Sequence, residues 1–213
     1  MTPRRKANTR PDRSSDKRSS ILNAAAEIFL AGGYLGASMD EIAAKARVAK
    51  QTVYGHFSNK RDLFLAMVSA LTNQASDRVH AGVPEFREGD DLKRYLTDYA
   101  FRQLLVVLTP RIVHLRRLVI GEVSRFPELG EALYSGGPGR AIASLAAIFE
   151  RLAAHGVLRI RNPSLAASQF NWLVMSAPLN RAMLLGDDAI PSRSELRKHA
   201  AESVQVFLAA YLD

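Results

Sequence analysis

The sequence contains no cysteine among its 213 residues. That absence excludes disulfide frameworks, thiolate nucleophiles, iron–sulfur clusters and thiolate zinc sites, and it fits a chain working in a reducing cytoplasm. Long apolar runs are missing as well. The longest obvious one, Leu104 to Leu108, falls far short of the roughly 18 residues a spanning helix needs, so no membrane partner is expected. The basic N-terminus is not followed by the apolar centre of a signal peptide, and a cytoplasmic location is expected. Strand signals are scarce: there is little period-2 alternation and no Asn-Gly or Asp-Gly hairpin turn. With only 9 prolines, 23% charged and 47% hydrophobic residues, the chain has the means to bury a core without staples.

What is present is basic charge, unevenly placed. Lys and Arg number 29 against 21 Asp and Glu, a net charge of +8. Residues 1–67 hold 12 basic and 6 acidic side chains, whereas residues 68–213 hold 17 and 15. Arg4, Arg5, Lys6, Arg10 and Arg13 oppose Asp12 alone in the first fourteen residues, which reads as a disordered basic arm over 1–14. A polyanion suits such an arm, because each neutralised phosphate releases condensed counterions. A merely soluble basic surface is the alternative, and position relative to a motif has to decide.

Helical periodicity runs through the rest, so the fold expected is all-α. A first helix is expected from Ser15 to Leu30 with Ile21, Leu22, Ala25, Ile28 and Phe29 on one face, ended by Gly32-Gly33. Short helices follow near 39–46 and 50–56, then a connecting helix over 59–80. Further helices are expected over 91–108, from Pro110, from Pro127, over 140–154, over 164–185 with a kink at Pro178, and over 194–212. Gly136-Gly137-Pro138-Gly139 is expected to break the chain as a turn. The organisation expected is a small helical unit over 15–67 and a larger helical bundle over 68–213, joined through the connecting helix.

Ser38-Met39-Asp40-Glu41 has the spacing of a capping box, in which Ser38 accepts from the Glu41 amide and the Glu41 carboxylate reaches back. The short helix it starts is followed by a bend and a second short helix, the pattern of a helix-turn-helix. In that second helix Val53 and Phe57, four apart, face inward and leave Lys50, Gln51, Thr52, Tyr54, Gly55 and His56 outside. Gln pairs with adenine, Lys with guanine, Thr and Tyr with phosphate or a thymine methyl, and glycine admits a close backbone. The competing reading is a structural corner with a solvated polar face. The Arg-rich arm favours DNA, since such arms enter the neighbouring minor groove in other helix-turn-helix proteins.

These residues also carry a resemblance. Ile21 to Phe29, Gly32-Gly33-Tyr34, Ser38 to Ala43, Val48 to Phe57 and Asn59 to Phe64 resemble the N-terminal domain of TetR-family regulators over residues 15–67. The resemblance implies DNA contacts from Ser38, Lys50, Gln51, Thr52, Tyr54, Gly55, His56 and Lys60. Arg47 departs from it, standing where the family most often has Gly in the turn. Either the turn tolerates a side chain there or Arg47 offsets about 1 kcal/mol of strain through a phosphate contact. The run Arg117 to Val123 with Arg125 to Leu129 is similar to the regulatory domain of the AefR-like subgroup, which implies helices packed around an effector cavity and a two-fold pairing of the last two.

Candidates for the cavity are Tyr95, Tyr99, Gln103, His114, Val119, Phe126, Asn171, Trp172 and Met175, aromatic and flexible apolar groups with a few polar ones. A solid core with satisfied polar groups would have the same composition. The stripe Leu196, Ala200, Val204, Phe207, Leu208 and Tyr211 is apolar enough for a dimer interface, although one chain alone can also satisfy it. His56, His80, His114, His155 and His199 lack paired-ligand spacing, so no metal and no cofactor are expected, and His80 and His199 read as surface residues. No P-loop, nucleophile elbow or other catalytic constellation is found, and an enzyme is not expected. The function expected is a DNA-binding transcriptional regulator, a ligand-responsive repressor binding a palindromic double-stranded operator as a homodimer and releasing it for a small apolar or aromatic effector. The alternatives are a helical ligand carrier or enzyme with an incidental helix-turn-helix, or a non-specific nucleoid-associated protein.

Overall fold

The computed structural model describes residues 13–81, 86–87 and 89–212. Two compact units divide between Met67 and Val68, a boundary that falls inside a helix. The basic arm expected over 1–14 lies outside the described residues, except for Arg13 and Ser14, which already belong to the first helix.

The first unit comprises α1 (Arg13–Gly36), α2 (Met39–Ala46), α3 (Lys50–His56) and the start of α4 (Lys60–His80). Ile21, Ala25 and Phe29 of α1 are fully buried, spaced four apart as one face of a helix requires. Gly33 interrupts α1 at φ 69°, ψ −179°, so the chain leaves the helical path where the sequence places its stop. Phe29, Tyr34 and Phe64 then meet as an aromatic cluster with ring centroids 4.7 to 6.1 Å apart. Such rings supply much of the apolar burial that a unit this small can muster.

The second unit continues from α4 into α5 (Leu92–Val107), α6 (Pro110–Glu122), α7 (Pro127–Tyr134), α8 (Arg140–Ala154), α9 (Pro163–Leu185) and α10 (Arg193–Tyr211). Side chains satisfy the open amides at three helix starts: Asp91 accepts from Arg94 N–H, Asn162 from Leu165 N–H and Ser192 from Glu195 N–H. Phe149 of α8, Phe170 of α9 and Phe207 of α10 pack with centroids 5.0 to 5.8 Å apart, at the centre of a core that also takes Leu96, Leu104 and Val174.

Two expectations change here. Gly136-Gly137-Pro138-Gly139 does not break the chain: Ser135–Gly139 is a wide π turn joining α7 to α8. Pro138 has no N–H to give and its ring would crowd the carbonyl four residues back, which a widened turn relieves. Gly136 suits this close approach: a Cβ would lie 3.0 Å from Asn73 Oδ1 and 3.1 Å from Thr72 Cγ2, so those side chains would have to give by a few tenths of an ångström. The stripe expected at a dimer interface is the other change. Leu196, Ala200, Val204, Phe207 and Leu208 are buried within the protomer's own core, and Tyr211 packs on Phe207 at 4.8 Å. Repeats of 3.5 and 3.6 residues coincide over a helix this short, so an intrachain core face and a coiled-coil seam look alike in sequence.

Candidate nucleic-acid interface

Ser38 caps α2, its Oγ accepting from the Glu41 amide at 3.1 Å. The reciprocal contact from Glu41 is not formed among the described residues; the complete capping box is Ser192 with Glu195, whose Oε2 accepts from Ser192 N–H at 2.7 Å. Ser38 is exposed, and its hydroxyl hydrogen remains available to a phosphate oxygen beside the positive end of α2.

The turn between α2 and α3 is closed by Arg47 at φ 56°, ψ 43°, the one non-glycine residue of positive φ among the described residues. Arg47 N–H donates to Ala44 O and Val48 N–H to Ala43 O, both at 3.1 Å, the bonding pattern of a Schellman motif. A glycine position is therefore filled by arginine. The left-handed backbone costs about 1 kcal/mol, which the two capping bonds offset within the free protein.

Helix α3 buries Val53 and leaves Gln51, Tyr54 and Gly55 exposed, with Thr52 and His56 half-buried. Lys50, at its first turn, pairs with Asp40 of α2 at 2.7 Å, and this contact raises the Lys50 pKa. Both side chains are more than half exposed, so the pair is weak and readily exchanged for a phosphate or a guanine edge. Gly55 has open space around it: a Cβ would meet nothing within 4 Å. Packing in the free chain gives no reason for a glycine inside a helix, where it costs about 1 kcal/mol relative to Ala.

Lys60 behaves differently from the other candidates. Its ammonium donates to Ala37 O at 2.7 Å and lies 4.5 Å from the centre of the Tyr34 ring. The charge is thus spent on closing the loop between α1 and α2, and its removal would loosen the unit as well as any phosphate contact.

In the second unit a separate cavity of about 50 Å³ is lined by α4, α5, α6, α7, α8, α9 and the π turn. Of the nine sequence candidates, Gln103, Asn171, Trp172 and Met175 line it. Tyr95 and Tyr99 instead line a surface cleft on α5, and Val119 and Phe126 are buried elsewhere. His114 pairs with Asp187 at 2.9 Å, beside Arg117, whose guanidinium reaches Asp187 at 3.2 Å and the Ala182 and Met183 carbonyls that end α9. That cluster is a helix C-cap.

The cavity is also lined by residues outside the nine sequence candidates. Thr72, Ser76 and His80 fall four apart on α4 and line it, so His80 is not a surface residue; its Nδ1 bonds Ser76 O at 2.7 Å. His199 likewise bonds Val174 O at 2.9 Å. Arg116 lines the cavity from α6, within the apolar repeat Ile112, Leu115, Val119. A cation on an apolar stripe was the available signal.

Comparison with known proteins places both units. A family model described as bacterial regulatory proteins, tetR family, matches residues 21–67, and one described as AefR-like transcriptional repressor, C-terminal domain, matches residues 94–213. A solved TetR-family transcriptional regulator from Mesorhizobium loti is 37% identical with a TM-score of 0.88, over 95% of this chain and 100% of that one. The flavonoid-responsive regulator FrrA is 29% identical with a TM-score of 0.76, over 93% of this chain and 98% of that one. Among curated relatives, the HTH-type transcriptional activator FasR of Mycolicibacterium smegmatis is 47% identical over 53 residues, 25% of this chain and 24% of FasR. The matched segment thus spans about a quarter of that relative's length.

Proposed function

Because the chain belongs to the TetR family of DNA-binding transcriptional regulators, we propose that it is a homodimeric repressor that releases a palindromic operator when a small effector enters the second unit. The observation that carries the DNA reading is the face of α3. Gln51, Tyr54 and Gly55 are exposed while Val53 is fully buried, so the helix is anchored by one side and offers hydrogen-bonding groups on the other. Gln51 and Lys50 read base edges, Ser38, Thr52, Tyr54 and His56 hold phosphates, and Gly55 lets the duplex backbone approach. Arg47 and the basic arm add phosphate and minor-groove contacts.

Two copies are required, because a palindrome presents its half-sites about 34–36 Å apart or a multiple of that. The stripe on α10 being internal, the outward faces of α9 and α10 form the seam. Leu165, Trp172, Leu184 and Val206 are exposed there, an unusual apolar load for solvent. Repression rather than activation follows the AefR-like description of residues 94–213, whereas FasR, matched over a quarter of its length, is named an activator. A largely apolar cavity, and a structural relative named flavonoid-responsive, support a small ring-bearing or apolar effector. Effector and operator then weaken each other by one coupling energy, about 1 to 3 kcal/mol. The chain is a regulator and not an enzyme, working in the cytoplasm; no helix among the described residues is long and apolar enough to cross a membrane.

Footprinting on the DNA upstream of its own gene tests this reading. Protection of an inverted repeat, lost in Lys50→Ala/Gln51→Ala, is expected; uniform protection of any duplex would make it a non-specific DNA coat. Sedimentation of Leu165→Glu/Val206→Glu checks the seam: monomers are expected, and an unchanged dimer would move the interface elsewhere.

A further inference from the structure

The cavity in the second unit is dry in composition yet carries buried polar atoms with nothing to bond. Among the described residues, Thr72 Oγ1, Ser76 Oγ, His80 Nε2, Gln103 Oε1, Asn171 Nδ2 and Arg116 Nε find no hydrogen-bond partner. Thr72, Ser76, Gln103 and Asn171 are each at most 5% exposed. Native interiors seldom leave such groups unpaired, since each unmet one costs about 1 to 3 kcal/mol. Several of them around one void mark a place built for a polar guest.

The chemistry of that guest follows from Arg116. Burial pushes its pKa down, yet arginine stays charged in proteins. No carboxylate among the described residues takes part in that shift; desolvation is its one cause. A half-buried cation without a counterion is costly, and it repels any cationic ligand. Beside it, Gln103 Nε2 donates to Asn171 Oδ1 at 2.7 Å. Whichever amide donates in that pair, one carbonyl and one amine remain to face the void.

We propose that the cavity binds a small organic acid, whose carboxylate pairs with Arg116 and takes a hydrogen bond from the Gln103–Asn171 pair while its apolar body lies among Val106, Ile112 and Leu115. This rests on the effector reading above and names the class of effector. Arg116 is the one arginine or lysine among the described residues that line the cavity, which suits a single negative charge. A space of about 50 Å³ is well below the roughly 150 Å³ that takes a benzene ring, so a single ring or short chain enters only as the cavity walls give, and a long acyl tail is excluded. Arg116, Trp172 and Met175 also line a groove on the outer face of α6 and α9, so they form the wall between the cavity and the surface. Trp172 is the sole tryptophan, and its fluorescence reports occupancy directly.

The test uses the full-length protein and three matched probe pairs: benzoate with benzamide, phenylacetate with phenylacetamide, hexanoate with hexanamide. Trp172 fluorescence titrations are expected to give at least one acid bound about tenfold or more tighter than its amide, as a charge-assisted pair provides. Arg116→Met is expected to erase that preference while leaving the Tm of the free protein equal or higher, because an unpaired buried charge has been removed. Should Arg116→Met fail to fold, Arg116→Gln reads the same preference. Amides bound as tightly as acids, no acid bound at all, or a preference that survives loss of the charge would each overturn the proposal. Operator release, read separately by anisotropy, keeps the two readings apart: release by amides with equal potency would leave the effector reading standing and the acid assignment overturned.

Discussion

The two units keep their telling polar groups in opposite places. In residues 13–67 the groups that matter meet solvent: Gln51, Tyr54 and Gly55 are exposed on α3, and Lys50 holds Asp40 only by a pair open to water. In residues 68–212 they turn inward, with Gln103 and Asn171 at 3% and 1% exposure and Arg116 half-buried in the cavity wall. The first arrangement reads a partner too large to enclose. The second would suit a partner small enough to lose most of its water, where a single charge discriminates strongly because the surroundings screen it poorly.

Separating the units by damage sharpens this comparison most. Phe29 is fully buried against Phe64 at 4.7 Å, and Phe29→Ala is expected to cost about 3 to 5 kcal/mol, enough to abolish DNA binding. Trp172 lies in the second unit, so its fluorescence melt should hardly move if that unit stands alone. Loss of both signals at one temperature would mean that the units fold as one.

Gln51→Ala probes the exposed side without touching the core. Operator affinity should fall by about 1 to 3 kcal/mol while random duplex is bound as before, since base-edge contacts discriminate and phosphate contacts do not. Equal loss on both duplexes would remove Gln51 from the readout. Gly55→Ala sets stability against function at one position. With open space for the Cβ, it should stabilise the free protein by about 1 kcal/mol in a thermal melt yet weaken DNA binding. Unweakened DNA binding would show that no backbone comes close there.

The smallest effect expected is electrostatic and local to α10. Hydrogen bonds from Ser192 lower the Glu195 pKa below its ordinary 4.5. A lowered folded-state value means stability fully present above the ordinary pKa and lost as pH falls through the folded one. Glu195→Gln should therefore flatten the acid limb of the stability curve slightly, and an unaltered limb would show the box to be idle.

Legibility in the sequence followed the same division. Residues 38–57 were readable because cap, turn and recognition helix are contiguous, and their spacing fixes which side chains face out; α2 (Met39–Ala46) and α3 (Lys50–His56) lie where the pattern put them. Lys60 misled, because its place in the motif says nothing of the Ala37 carbonyl that captures its ammonium. The cavity was only half readable, since it is assembled from helices distant in sequence. Gln103 and Asn171 meet at 2.7 Å across 68 positions, a contact no local period announces. Arg116 and the Thr72, Ser76, His80 series are legible as polar residues at inward helical spacing, but that spacing alone does not say which void they border. The π turn was obscured by its own composition: Gly-Gly-Pro-Gly denotes a turn in isolation, whereas here it carries the helical path from α7 into α8 beside Thr72.

Sequence-specific DNA binding is the central claim, and fluorescence anisotropy of the full-length protein in fixed salt tests it most directly. One duplex carries the inverted repeat from the upstream region and the other a scrambled sequence of equal length. The account predicts affinity for the repeat at least about a thousandfold higher, the low end of the range for specific regulators. Equal affinity for the two duplexes would contradict it.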